Sequence, residues 1–80
     1  MQNLMTGSTG QDVKDVQTML NSLLPLPPLL VADGIFGPKT YARVVKFQSE
    51  NSLSADGIVG PITGRALVEA VVKARAAAWQ

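Results

Sequence analysis

The nine residues ADGIFGPKT, Ala32 to Thr40, return as ADGIVGPIT, Ala55 to Thr63, with seven identities in nine positions. The offset is constant, since Asp33 stands to Asp56 as Gly37 stands to Gly60. A chain of 80 residues is close to the smallest that supports a core of its own, so a phrase written twice governs much of what it can build. Each copy reads as three devices in series. Asp33–Gly34 and Asp56–Gly57 are turn dipeptides: glycine reaches positive φ there, and the aspartate accepts backbone N–H groups of its own turn. Ile35 and Ile58 follow as staple-like anchors, each expected to point its side chain inward ahead of a helix. Gly37–Pro38 and Gly60–Pro61 then place glycine at the N-cap and proline at N1, where a missing N–H costs nothing.

Three helices are expected, at about 11–24, 38–50 and 61–78. Val13, Val16, Leu20, Leu23 and Leu24 recur at three- and four-residue steps behind a Gly10 or Thr9 cap, and Pro25 ends the run. Thr40, Val44 and Phe47 share a face of the second helix, with Ala42 and Val45 beside it, and Asn51–Ser52 permit the turn that ends it. The third carries Ala66, Leu67, Ala70, Val71 and Ala74, with Gly64 as a weak point costing about 1 kcal/mol against alanine. PLPPLL reads as an extended, stiff connector. Pairing between the two loops is limited to one or two residues, too little for a sheet. The expected fold is all-α: a compact three-helix bundle with two matched Asp-Gly turn/Gly-Pro helix-start loops, one domain over residues 1–80.

Composition narrows the chemistry. No cysteine and no histidine are present, which removes disulfides, thiolate nucleophiles, imidazole bases and the usual zinc ligands, so neither a metal nor a cofactor is expected. Seven basic and six acidic side chains are scattered without runs, so neither nucleic acid nor an anionic membrane is an expected partner. A helix-turn-helix reading fails because the third helix offers only Arg65, Lys73 and Arg75, widely spaced. The opening MQNLMTGSTGQD does not read as a signal peptide, and the apolar run Leu23 to Ala32 is proline-broken and far short of the roughly 20 residues that cross a bilayer. Asp33 and Asp56 are paired in sequence, yet each sits in an exposed glycine turn without the apolar pocket that raises a carboxyl pKa for glycoside hydrolysis. The chain is therefore not expected to be an enzyme.

Four blocks in order carry a resemblance. The first is Gly10, Asp12, Val13, Val16, Gln17, Leu20 and Asn21, and the second Asp33, Gly34, Ile35, Phe36, Gly37, Pro38 and Thr40. Val44, Phe47 and Gln48 follow, and then Asp56, Gly57, Ile58, Val59, Gly60, Pro61 and Thr63. With these residues the chain resembles the peptidoglycan-binding-like domain, a small three-helix module attached to many bacterial and phage cell-wall hydrolases. It departs from that pattern at Arg43, Ile62, Gly64 and Arg65, near the starts of helices two and three. The resemblance implies non-catalytic binding of peptidoglycan, through its glycan strand or stem peptide, that tethers a fused or associated wall hydrolase. It also implies a cell-wall or periplasmic location, reached through a fused partner, a phage particle or secretion machinery. The alternative is a protein-interaction module of the same fold that has lost wall binding, as in a phage or secretion-system accessory.

Since the identities serve the fold, recognition is expected where the copies differ. Phe36 stands against Val59, Lys39 against Ile62 and Tyr41 against Gly64. The candidate ligand-binding residues are Phe36, Lys39, Thr40, Tyr41 and Arg43. Tyr41 offers a ring for stacking on a sugar or peptide plane, while Lys39 and Arg43 offer cations for a stem-peptide carboxylate. Gln17 and Gln48, beside core positions, are expected to tie helix to loop through backbone groups. Trp79 is either a lid on the core or part of a linker.

Overall fold

The structure, a computed structural model, describes residues 3–25 and 27–78. Three helices follow one another: α1 (Gln11–Leu23), α2 (Pro38–Glu50) and α3 (Pro61–Ala78). The Gly-Pro dipeptides set the starts of α2 and α3, and Gly37 caps α2 in extended backbone without any side-chain cap bond. The amide of Asn51 returns to the carbonyls of Phe47 and Gln48 at the other end of α2, and its side chain also donates to Phe47. No strand occurs among the described residues; only isolated bridges do.

Those bridges are not where the sequence suggested. The two loops do not pair with each other; residues 3–10 pair with both. Leu4 and Val59 exchange two backbone hydrogen bonds of 3.0 and 2.8 Å. Gly7 donates to the Phe36 carbonyl, Phe36 donates to Ser8, and Gly10 donates to Gly34, all at 2.9–3.0 Å. This strap satisfies loop amides that would otherwise be orphaned near the core. It also buries Leu4, a core residue in a stretch that shows no helical period.

Val13, Val16, Leu20, Phe36, Val44, Phe47, Val59 and Leu67 make up most of the core, joined by Leu4 and Leu30. Each such side chain contributes on the order of 1.5–3 kcal/mol by leaving water. The staple reading needs correction. Ile35 is 57% exposed, whereas Phe36 is 1% exposed and Val59 fully buried. Asp33 and Asp56 draw the amides of Ile35 and Ile58 into their turns. Side chains alternate along extended backbone, so the next residue is the one that faces the core. Ala74, placed in the apolar stripe of α3, is exposed; α3 packs through Leu67, Ala66 and Ala70.

The connector bends at Pro27 and Pro28 rather than running straight. Asn21 brackets Leu30 with two bonds, its amide donating to the Leu30 carbonyl at 2.9 Å and its carbonyl accepting the Leu30 amide at 2.8 Å. Arg43 donates to the carbonyls of Leu24 and Pro28 from the far side. The expectations for Trp79 lie outside the described residues.

Candidate functional site

Gln17 and Gln48 organise the two loops in the same way. The Gln17 side-chain carbonyl accepts the Gly34 amide at 3.0 Å, and its NH2 donates to the Ile35 carbonyl, the Thr40 hydroxyl and the Asp33 carboxylate. Gln48 repeats every contact, with Gly57, Ile58, Thr63 and Asp56. Both amides are essentially buried. The equivalence reaches further back than the doubled phrase, because Val13, Val16 and Gln17 match Val44, Phe47 and Gln48 at one constant offset. The first unit is the longer: Gln17 and Asp33 stand 16 apart in sequence, Gln48 and Asp56 only 8. The proline-rich connector supplies the difference. The fold is therefore two helix–loop units in tandem, each read by a glutamine, closed by α3.

The aspartates follow from this geometry. The amide of Ile35, chiefly, and the Gln17 side chain hold the Asp33 carboxyl below its ordinary value against partial desolvation. The amide of Ile58 and then Gln48 do the same for Asp56. A carboxyl whose folded pKa is lowered stabilises the fold above its unfolded value and loses that contribution as pH falls through the folded one. Both turns should thus contribute fully at neutral pH and weaken on acidification below about pH 3.8. The double variant Asp33→Asn/Asp56→Asn is expected to show a shallower fall of the urea midpoint below that pH. A wild-type midpoint that stays flat there would contradict this account.

The proposed recognition residues do not form one cluster. Phe36 is a correction: it is 1% exposed and packs in the core rather than standing at the surface. Arg43, half-buried, donates its guanidinium to the connector carbonyls of Leu24 and Pro28. Tyr41 is 44% exposed, but its ring lies against Gly57 and covers the second turn. Thr40 is buried under Gln17. Lys39 stays exposed at the start of α2.

Lys39 and Thr40 line a groove of about 410 Å³, bounded by Val31, Asp33, Ile35 and Pro38. Three of its side chains are large, apolar and open to solvent: Leu29 at 52%, Val31 at 75% and Ile35 at 57%. Sequence reasoning did not assign Leu29, Val31 or Ile35 to a site. Alternation was the available signal, because Leu29 and Val31 flank buried Leu30 as residues of an extended segment do. A second groove of about 480 Å³ lies beside the second loop, lined by Asp56, Ile58, Pro61, Ile62 and Thr63. A smaller apolar cavity of about 200 Å³ sits between the helices near Leu20, Phe47 and Ala70. Among the described residues no three acidic or metal-ligating side chains converge, and no helix is long and apolar enough to cross a membrane.

The described residues form a small all-helical module of two tandem helix–loop units with a groove beside each loop. Residues 9–67 match the model of the peptidoglycan binding domain family, and the chain belongs to that family. Its likeness to known proteins agrees. It is 43% identical over 60 residues to a zinc D-Ala-D-Ala carboxypeptidase of Streptomyces albus G, covering 75% of this chain and 24% of that protein. The SleB N-terminal domain superimposes with a TM-score of 0.79 at 33% identity, over 88% of this chain and 93% of that one. A fused Zn-dependent amidase/peptidase/peptidoglycan-binding domain-containing protein from Clostridium acetobutylicum superimposes with a TM-score of 0.76 at 36% identity, over 82% of this chain and 28% of that one. The chain thus spans about a quarter of the carboxypeptidase and of the fused protein.

Proposed function

We propose that this chain, acting as a single module over residues 1–80, binds bacterial cell-wall peptidoglycan without catalysing a reaction. It holds a fused or associated wall hydrolase against its polymer at the cell wall or in the periplasm, delivered there with that partner. Tethering raises the local concentration of an attached enzyme near its substrate without any new catalytic contact. The observation that carries the reading, beside the family, is the groove at the first loop, where exposed Leu29, Val31 and Ile35 sit beside the Lys39 ammonium. A stem peptide suits such a surface, with side-chain methyls against the aliphatic wall and a carboxylate on the lysine. Thr40 forms part of the groove lining.

Co-sedimentation with purified sacculi tests this. The 80-residue chain should pellet with insoluble peptidoglycan, and retention should fall as salt rises because an exposed ion pair is screened. Lys39→Glu should weaken binding about tenfold, or roughly 1.4 kcal/mol, just under the range of about 1.5–3 kcal/mol for a hydrogen bond to a charged group, as suits a solvent-exposed contact. If the wild-type chain stays in the supernatant with sacculi of every wall chemotype, the wall-binding reading is wrong.

A further inference from the structure

The two grooves are copies of one another. Asp33, Ile35, Gly37, Pro38 and Thr40 line the first, and their counterparts in the second phrase, Asp56, Ile58, Gly60, Pro61 and Thr63, line the second. Leu30 and Leu53 extend the correspondence upstream. The volumes, about 410 and 480 Å³, are comparable. The strap couples the loops at short range: Leu4 pairs with Val59, and Gly7, three positions later, pairs with Phe36. So short a stretch of chain spans at most about 11 Å, and the loops are held within reach of one short oligomer.

From this duplication we infer that the domain carries two ligand subsites and engages two repeat units of the wall polymer at once. The inference rests on the wall-binding reading above, and it adds the second groove and a division of labour. A polymer of identical units presents the same chemistry at a regular spacing, and a tandemly repeated groove is the matching receptor. The grooves differ at their rims. Lys39 becomes Ile62, which is 74% exposed, and Val31 becomes Ser54. Ser52 and Asn3 add further polar groups to the second groove. The first subsite sets the Lys39 cation among aliphatic side chains, beside an Asp33 carboxylate that accepts bonds from Gln17 and the Ile35 amide, and it takes the anionic peptide part of one unit. The second keeps its turn carboxylate, Asp56, but has no cation among its described lining residues; its hydroxyl and amide groups around exposed Ile62 take the neutral glycan part of the next.

Two subsites on one polymer give avidity, so losing either should weaken retention by sacculi about 100-fold, the lower end of what linking two sites contributes. A soluble muropeptide of one disaccharide and its stem is the complementary probe, added to the 80-residue chain and followed by backbone amide NMR shifts. The expected result is saturable movement of amides in both 34–41 and 57–64, with Ile62→Glu abolishing the second set and sparing the first. Ile62 is solvent-facing, so this variant should keep the fold, which the unperturbed remainder of the spectrum verifies. Movement confined to 34–41, with sacculus binding untouched by Ile62→Glu, overturns the two-subsite inference and leaves wall binding standing. No movement in either loop together with no pelleting overturns both.

Discussion

Replacing Gln48 by alanine should destabilise the domain by about 3–5 kcal/mol, enough to unfold most of it at ambient temperature. The number follows from what the amide satisfies. Its carbonyl accepts the buried Gly57 amide, and its NH2 group supplies Ile58, Thr63 and Asp56. A truncated side chain supplies none of these, and a single water in the vacated space does not reproduce the geometry of all four bonds. Each buried polar group left unpaired costs about 1–3 kcal/mol, and a chain of this size rarely has more than about 3–5 kcal/mol in reserve. Gln48→Glu separates hydrogen bonding from packing. A carboxylate keeps the volume and still accepts from Gly57, but it presents a second negative oxygen to Asp56 and to two further acceptors. It should be at least as damaging at pH 7 and recover partly in acid, where a protonated glutamic acid again donates. Gln17→Ala and Gln17→Glu should behave in parallel at the first loop, since the contacts match one for one. Urea unfolding of the four variants reads this directly, and losses of only about 1 kcal/mol, the net worth of one ordinary hydrogen bond, would show that water substitutes for the amide.

Much of this arrangement was written in local patterns. The Gly-Pro dipeptides, the three-and-four spacing of valines and leucines, and the Asp-Gly turns each depend on residues within a few positions of one another. They locate the helix starts and the loops. The placement of Gln17 and Gln48 next to core positions was equally local, and their role follows from the rule that buried polar groups find partners. What escaped the sequence depends on long-range pairing. Leu4 belongs to the core only because its backbone meets that of Val59, most of the chain away. Ile35 and Phe36 are adjacent apolar residues, and which of them faces inward is decided by the strap and by Asp33, not by hydrophobicity. Arg43 reads in sequence as a recognition cation because nothing in its neighbourhood announces that the bent connector returns to place the carbonyls of Leu24 and Pro28 beside it. The candidate site was half legible for the same reason. Lys39 stands out by contrast with Ile62, but Leu29 and Val31 enter the groove through the bend of the connector.

Gly34→Ala and Gly57→Ala should part company, although the two glycines occupy equivalent turns. Both have positive φ, +78° and +74°, so either alanine meets the left-handed penalty of about 1–2 kcal/mol. They differ in what covers the turn. A methyl on Gly34 would lie 3.0 Å from the carbonyl oxygen of Gly10, which is backbone fixed by the strap and cannot step aside. At Gly57 the added methyl would overlap the Tyr41 ring, a side chain with a solvent-facing edge. Gly10 stands to Gln17 as Tyr41 stands to Gln48, so the ring takes the place that main chain fills in the first unit. Each single variant should lose about 2–4 kcal/mol, the backbone penalty plus the displaced contact. The loss at Gly57 should shrink to the backbone penalty alone in the background Tyr41→Ala, because the obstacle has gone. Gly34→Ala in that same background should add its full cost, since the atoms closest to the first turn belong to Gly10 and not to Tyr41. A double-mutant cycle in urea measures the coupling, expected at about 1–2 kcal/mol for the Tyr41–Gly57 pair and near zero for Tyr41–Gly34. Equal coupling in both pairs would mean that Tyr41 acts on the bundle as a whole rather than as a cover on the second turn.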